Sequence, residues 1–293
     1  MDKAVIGIIG GSGLYEMEGL TRKREVKLAT PFGPPSDAFV VGALEGCKVA
    51  FLARHGRGHR ILPTDINFRA NIWGMKKLGV ERIISVSAVG SMKEAIQPGH
   101  VVLPDQFYDH TKHRISTFFG NGVVAHVAFA DPVCAELVQV LAEAGRQNKA
   151  VIHEGGVYFC IEGPQFSARG ESLIYRRWGV DVIGMTNVTE AKLAREAEIC
   201  YATLALPTDY DCWHEGMEAV TVEAVIETLN KNVALSQRII RSALPKIPES
   251  RTCSCSTALR NAVMTPDRLI PKKTRENLRL LLDKYFGRRA KMR

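Results

Sequence analysis

Long apolar runs are scarce in this sequence, and that scarcity excludes several classes at once. The opening MDKAVIGIIGG is too short, and too quickly followed by glycines, to be the core of a signal peptide with a cleavage site, and no later run approaches membrane-spanning length. A soluble cytoplasmic protein with no membrane partner is the expectation. No Pro-, Gly- or Ser-rich linker divides the chain before Pro245, and there is neither an internal repeat nor a low-complexity tract, which sets aside a solenoid and a disordered regulator. Cysteines number seven, an odd count without a secretory signal, which argues against an extracellular disulfide framework.

What is present is an ordinary globular composition of 293 residues, 46% hydrophobic and 24% charged. One α/β domain over residues 1–265 with an extension over 266–293 fits that length. The formal net charge of +8 could serve nucleic acid, a membrane surface or a small anion. Much of it is terminal, in Lys272, Lys273, Arg288, Arg289, Lys291 and Arg293, so it says little about the main site. The tail lacks regular aromatic interleaving and any recognised nucleic-acid motif, so no nucleic-acid partner is expected.

Short β-rich runs recur at Ala4–Ile9, Val49–Ala53, Ile83–Val86, Val101–Leu103, Val157–Ile161, Val180–Ile183 and Cys200–Leu206. Several are apolar at consecutive positions, the pattern of strands covered on both faces. Helical patterns lie between them, at Asp131–Arg146, Thr189–Ala197 and onward from Val222, and predict a central sheet flanked by helices. In the tail, Leu278, Leu281, Leu282, Tyr285 and Phe286 form one apolar stripe that must dock on the body or on a partner subunit.

Five segments carry the chemistry. Gly10-Gly11-Ser12-Gly13 follows the first strand and reads as a phosphate cradle or as a plain tight turn; the glycine spacing of a dinucleotide fold is not met. Arg54-His55-Gly56-Arg57-Gly58-His59 offers a forked cation and a histidine donor for an anion, whereas a zinc site from His55 and His59 lacks further ligands nearby. Ser87-Ala88-Val89-Gly90-Ser91, at the end of the Ile83–Val86 strand, completes a phosphate pocket or serves only as a packing turn. Ile161-Glu162-Gly163-Pro164-Gln165-Phe166-Ser167 contributes an aromatic ring, as a stacking surface or as core. In Thr208-Asp209-Tyr210-Asp211-Cys212-Trp213, extended backbone would point Asp209 and Asp211 to the same side, where they address a heterocycle unless they are only turn formers or caps.

Together and in this order, with TPFGPPSDA at Thr30–Ala38, IEGPQFSARGES at Ile161–Ser172, DVIGMT at Asp181–Thr186 and TDYDCW at Thr208–Trp213, these segments resemble the trimeric nucleoside phosphorylase family, more closely its methylthioadenosine phosphorylase branch, from about Val5 to about Leu244. The resemblance implies a single domain with a central mixed sheet. It implies phosphate held by Ser12, Arg54, His55, Ser87, Ala88 and Thr186, ribose against Met185, and a base site of Phe166, Ser167, Asp209 and Asp211. Asp209 would donate to purine N7 if enclosure keeps it protonated, and Asp211 would accept from a 6-amino group. Around the 5′ group it implies Val222, Val225 and, from a neighbouring subunit, His126, hence a trimer or a dimer of trimers. Inorganic phosphate is then a co-substrate, with no cofactor and no metal, and the reaction is phosphorolysis of methylthioadenosine; a phosphorylase for 6-oxopurine nucleosides or methylthioinosine is the alternative.

Three features depart from the pattern. Thr189 stands where family members commonly carry proline, and is expected to change only how the next helix begins. The tail beyond about Pro266 is long, and in this family such a segment can cover the 5′ pocket. Cys253-Ser254-Cys255 resembles an element of heat-adapted members and reads as two thiols or as a local disulfide; Cys134 and Cys200 could also pair.

Overall fold

The computed structural model describes residues 5–11, 14, 17–214 and 222–286, the side chains of 222–226 excepted. Among the described residues, eleven strands form one mixed sheet. In chain order the elements are β1 (Ile6–Gly10), β2 (Thr21–Val26), β3 (Phe39–Leu44), β4 (Cys47–Ala53), α1 (Phe68–Lys77), β5 (Arg82–Ser91), β6 (Val101–Leu103), β7 (Gln106–His110), α2 (Ala135–Gln147), β8 (Ile152–Glu154), β9 (Val157–Ile161), α3 (Arg169–Arg177), β10 (Val182–Gly184), α4 (Asn187–Glu196), β11 (Cys200–Asp209), α5 (Val222–Ala243) and α6 (Lys272–Phe286).

The consecutive apolar runs have a direct structural cause. Neighbouring residues of a strand face opposite sides of the sheet, and here both sides are covered. Ile9, Leu52, Ile83 and Tyr201 turn to a layer built from α1, α4 and α6, while Ile8, Phe51, Ile84 and Ala202 turn to α2 and α5. The apolar stripe of the tail docks on the chain itself: Leu278, Leu281 and Leu282 are buried in the first layer, each contributing about 1.5–3 kcal/mol.

Strand β5 is the hub. It runs parallel to both β1 and β11 through its first half, stays beside β11 as far as Gly90, and there also takes up β10 in antiparallel register. The apolar pattern ends this strand at Val86 and leaves Ser87–Ser91 beyond it, as part of a phosphate pocket or as a packing turn. The structure corrects that: these small residues are extended because β11, itself longer than its apolar run, pairs with them. Helix boundaries shift in both directions. Helix α2 begins at Ala135 rather than Asp131, with Cys134 as its N-cap, whereas α4 begins two residues earlier than expected, with Thr186 as its N-cap. Ala4, expected in the first strand, lies outside the described residues.

Candidate active site

Strand β1 ends beside the middle of β5, near Ser85, while β11 runs on with β5 to Asp209 and Gly90; the C-terminal side of such parallel strands is where an open α/β sheet usually binds its ligand. A cavity of about 550 Å³ opens there. It is lined by Arg54, His55, Ser87, Ala88, Thr186, Met185, Phe166, Ser167, Asp209 and Asp211, so residues expected for phosphate, sugar and base meet in one space. Ser12 lies outside the described residues, though Gly11 beside it contributes to the wall. The side chains of Val222 and Val225 are likewise outside; farther along α5, Leu229 and Val233 line the cavity. His126 is not part of this wall: its N–H donates to the Ala262 carbonyl at 2.8 Å.

Arg54 differs from the expected open fork. Its main-chain N–H donates to Gly10 O at 2.9 Å, which ties the loop to the end of β1. The side chain is buried and already engaged: Nε donates to Glu190 Oε1 at 2.6 Å, Nη2 to Glu190 Oε2 at 3.2 Å and to Ser85 Oγ at 2.6 Å, and Nη1 to Val86 O at 3.0 Å. A guanidinium has five donor hydrogens, so among the described residues a single one is left for an anion in the cavity. Arg57 turns outward to Asp37 and Glu25 at 3.0 and 2.6 Å.

His55 is also corrected. A carbonyl can only accept, so the Nδ1 contact to Ile61 O at 2.8 Å uses the Nδ1 hydrogen. Burial pushes this imidazole down to about 4, so at neutral pH Nε2 carries a lone pair and accepts rather than donates. The ring stacks on His59 at 4.3 Å between centroids, in a loop whose tight course uses positive φ at Gly56 and Gly58.

Donors at this end come from other groups. The N-terminus of α4, with Thr186 at its N-cap position in the cavity wall, favours an anion through its dipole. Ser87 Oγ pairs with the Tyr158 hydroxyl at 3.2 Å, and Ala88 is exposed to the cavity. Thr189 does more than begin the helix: it is fully buried in the first turn of α4, and its hydroxyl has no hydrogen-bond partner among the described residues.

The two acids stand in the same cavity wall. Asp209 closes β11, but the chain then turns, with φ of 50° at Asp211, so the pair is not brought together by two-residue alternation. The Asp211 N–H donates to Asp209 Oδ1 at 2.8 Å and the Thr208 hydroxyl donates to Oδ2 at 2.7 Å. Ser172 of α3 donates to Asp211 Oδ2. Burial raises the Asp211 carboxyl, against the lowering effect of that hydroxyl. The turn is anchored by Trp213, whose indole N–H donates to Ser91 O at 2.7 Å under the Arg176 guanidinium at 3.8 Å.

Met185 is fixed by its carbonyl, which accepts from Arg114. Arg114 also donates to Glu162 Oε1 at 3.2 Å and to Glu162 O at 2.7 Å. Burial would raise the Glu162 carboxyl, but the Lys112 N–H, the Thr64 hydroxyl, the His113 N–H and Arg114 override it and hold the group down to about 2. Phe166 is 85% exposed at the cavity wall, which removes the core alternative. Ser167 Oγ is buried there without a partner among the described residues, a hydroxyl ready for a ligand.

Glu190, Ser85, Ser172, Thr208 and Arg114 were missing from the expected site. Ser172 lies inside the IEGPQFSARGES stretch and was within reach of the sequence reading. Glu190 gave no signal beyond that of an acid in the first turn of a helix.

Against known proteins, the model of the phosphorylase superfamily matches residues 5–245, and the chain belongs to that family. Within it, the chain is 60% identical to the S-methyl-5′-thioadenosine phosphorylase of Geobacter sulfurreducens over 96% of its own length and 99% of the relative's, and 58% identical to that of Koribacter versatilis over 97% and 98%. Among solved structures, a methylthioadenosine phosphorylase from an antarctic soil metagenomic library superposes with a TM-score of 0.93 at 50% identity, covering 96% of this chain and all of that one. An adenosine/methylthioadenosine phosphorylase mutant from Schistosoma mansoni, in complex with methylthioadenosine, gives 0.80 at 32% identity over 97% and 100%.

Proposed function

We propose that this chain catalyses phosphorolysis of 5′-methylthioadenosine, with inorganic phosphate as co-substrate, to adenine and 5-methylthioribose 1-phosphate. The carrying observation is that one cavity is lined both by an anion-favouring set, at Ser87, Ala88 and the N-terminus of α4, and by the carboxyl pair Asp209 and Asp211, with Met185 in the same wall. Relatives that carry this activity in their names support the same reading.

Breaking a ribosyl–purine bond generates a cation-like sugar and an electron-rich purine. Phosphate supplies the negative charge and then the nucleophilic oxygen on one face of the sugar; the new C1′–O bond forms as the C1′–N9 bond breaks, and the bonding pair leaves with adenine. Asp209 donates its proton to N7 of the departing base, and Asp211 accepts from the 6-amino group. Ser167 and the face of Phe166 complete the base site, Met185 packs against the ribose, and the 5′ group lies toward Val222 and Val225. His126 of a second subunit closes that pocket in a trimer or a dimer of trimers in the cytoplasm.

Adenine release from methylthioadenosine, measured with and without orthophosphate and beside adenosine and inosine, tests the reading. Phosphate-dependent release with a marked preference over inosine is expected, because a 6-oxo group would face the Asp211 oxygens. Equal release in water alone overturns phosphorolysis, and equal kcat/KM for inosine overturns the role of Asp211.

A further inference from the structure

Away from the cavity, four cysteines from three separate stretches of chain converge. Cys134 caps the N-terminus of α2, Cys200 opens β11, and Cys253 and Cys255 flank Ser254 at a single short helical turn. Their four sulfur atoms all lie within 4.8 Å of one another, and Cys200 and Cys253 approach to 3.4 Å. Cys134, Cys200 and Cys255 are buried and Cys253 is partly so, and all are free.

Disulfide sulfurs stand about 2.05 Å apart. Four thiolates around one tetrahedral ion, at metal–sulfur distances of about 2.3 Å, stand about 3.8 Å apart. The 3.4 Å approach and the 4.8 Å limit bracket the second spacing. A soft, all-sulfur donor set selects zinc over magnesium or calcium, and the helix N-terminus beside Cys134 favours the negative charge such a site accumulates.

We propose that Cys134, Cys200, Cys253 and Cys255 form a structural zinc site. Each thiol loses its proton to solvent as its sulfur bonds the ion, so binding one Zn²⁺ releases four protons and leaves no coordination position for substrate. The site lies at the opposite end of β11 from Asp209, along a ten-residue strand, and so takes no part in the chemistry. Its work is mechanical. The chain between α5 and α6 has no α-helix or strand of its own, only short helical turns at Ser254–Thr257 and Asp267–Leu269 after the one at Leu244–Lys246. It is held by Arg82, which donates to Pro248 O and Ser250 O at 2.5 and 3.1 Å, and by Arg251, which donates to Glu198 O at 2.7 Å. Zinc would staple that segment to β11 and α2 together.

The untagged full chain, purified without chelator or added metal, is examined by elemental mass spectrometry. About one zinc per chain is expected, falling to near zero in Cys253→Ser and in Cys255→Ser and unchanged in Cys47→Ser. Replacement by cobalt(II) should give the intense thiolate charge-transfer and visible bands of a tetrahedral sulfur site, a readout that needs no variant to fold. The proposal is overturned by protein that holds no thiophilic metal, whether its four thiols are then free on denaturation or its mass is lower by the hydrogens lost in disulfides. It is equally overturned if zinc remains in both serine variants.

Discussion

Arg54 Nε donates to Glu190 Oε1 at 2.6 Å, with the two side chains 3% and 1% exposed, so the cation expected to grip phosphate is already neutralised by an acid of its own chain. A buried pair of this kind gains little over apolar packing, but removing one partner strands the other. Its consequence is positional: the guanidinium locks Ser85, the Val86 carbonyl and the first turn of α4 in one cluster.

Glu190→Gln is therefore expected to lower stability by about 3–5 kcal/mol, read as a denaturant midpoint shift at unchanged m-value. A loss below 1 kcal/mol would mean that Arg54 finds another counter-charge.

A neutral His55 that accepts at Nε2 favours an anion bearing its own O–H. Hydrogenphosphate has one and sulfate at neutral pH does not. Sulfate should bind about two- to tenfold more weakly than phosphate, the worth of one ordinary hydrogen bond. Calorimetry checks this, and equal affinities would show that His55 donates.

The acid pair separates by substitution. Asp209→Asn should lower kcat by about 10²–10⁴ while leaving phosphate affinity near wild type. Asp211→Asn should act mainly on the preference between 6-amino and 6-oxo purines. Because burial raises Asp211, the reverse pattern would assign the proton to that residue instead.

Glu196 gives a pH signature unconnected with catalysis. Burial raises its carboxyl from 4.5 to about 7, although the Thr117 hydroxyl and the Phe118 N–H donate to it at 2.6 and 2.7 Å. Between those values the native state holds a proton that the unfolded chain has released, so this group's contribution is full below pH 4.5 and lost as pH rises through 7. Glu196→Gln should remove that slope. The variant's stability relative to wild type should climb by up to about 3 kcal/mol across the interval and then level off, as urea melts at several pH values would record.

The sheet was legible because its strands are apolar on both faces: Val101–Leu103 and Val157–Ile161 have the expected bounds. Strand β2 was not, since its residues are mostly exposed, and α3 buries only Ser172 and Tyr175, too little for an amphipathic signature. Most cavity residues were legible because they fall inside quoted segments. The engagement of Arg54 and the turn at Asp211 were not, because both depend on contacts from distant chain. The cysteine cluster is the extreme case. Cys200 and Cys253 are 53 positions apart, and no local pattern announces their meeting.

Strand β5 carries Ser87 and Ala88, and a few positions later Gly90, against which a methyl group would meet Asp209 Oδ1 and Asp211 Cβ at 3.3 Å. On the proposed reading, one piece of extended backbone thus gauges the gap between attacking oxygen and departing base. Adding or deleting a residue there would change the gap by about 3.3 Å and turn every following side chain to the other face. Evolution can retune such a stretch by exchange but hardly by length, which leaves novelty in substrate choice to the walls drawn from α5 and the Phe166 loop.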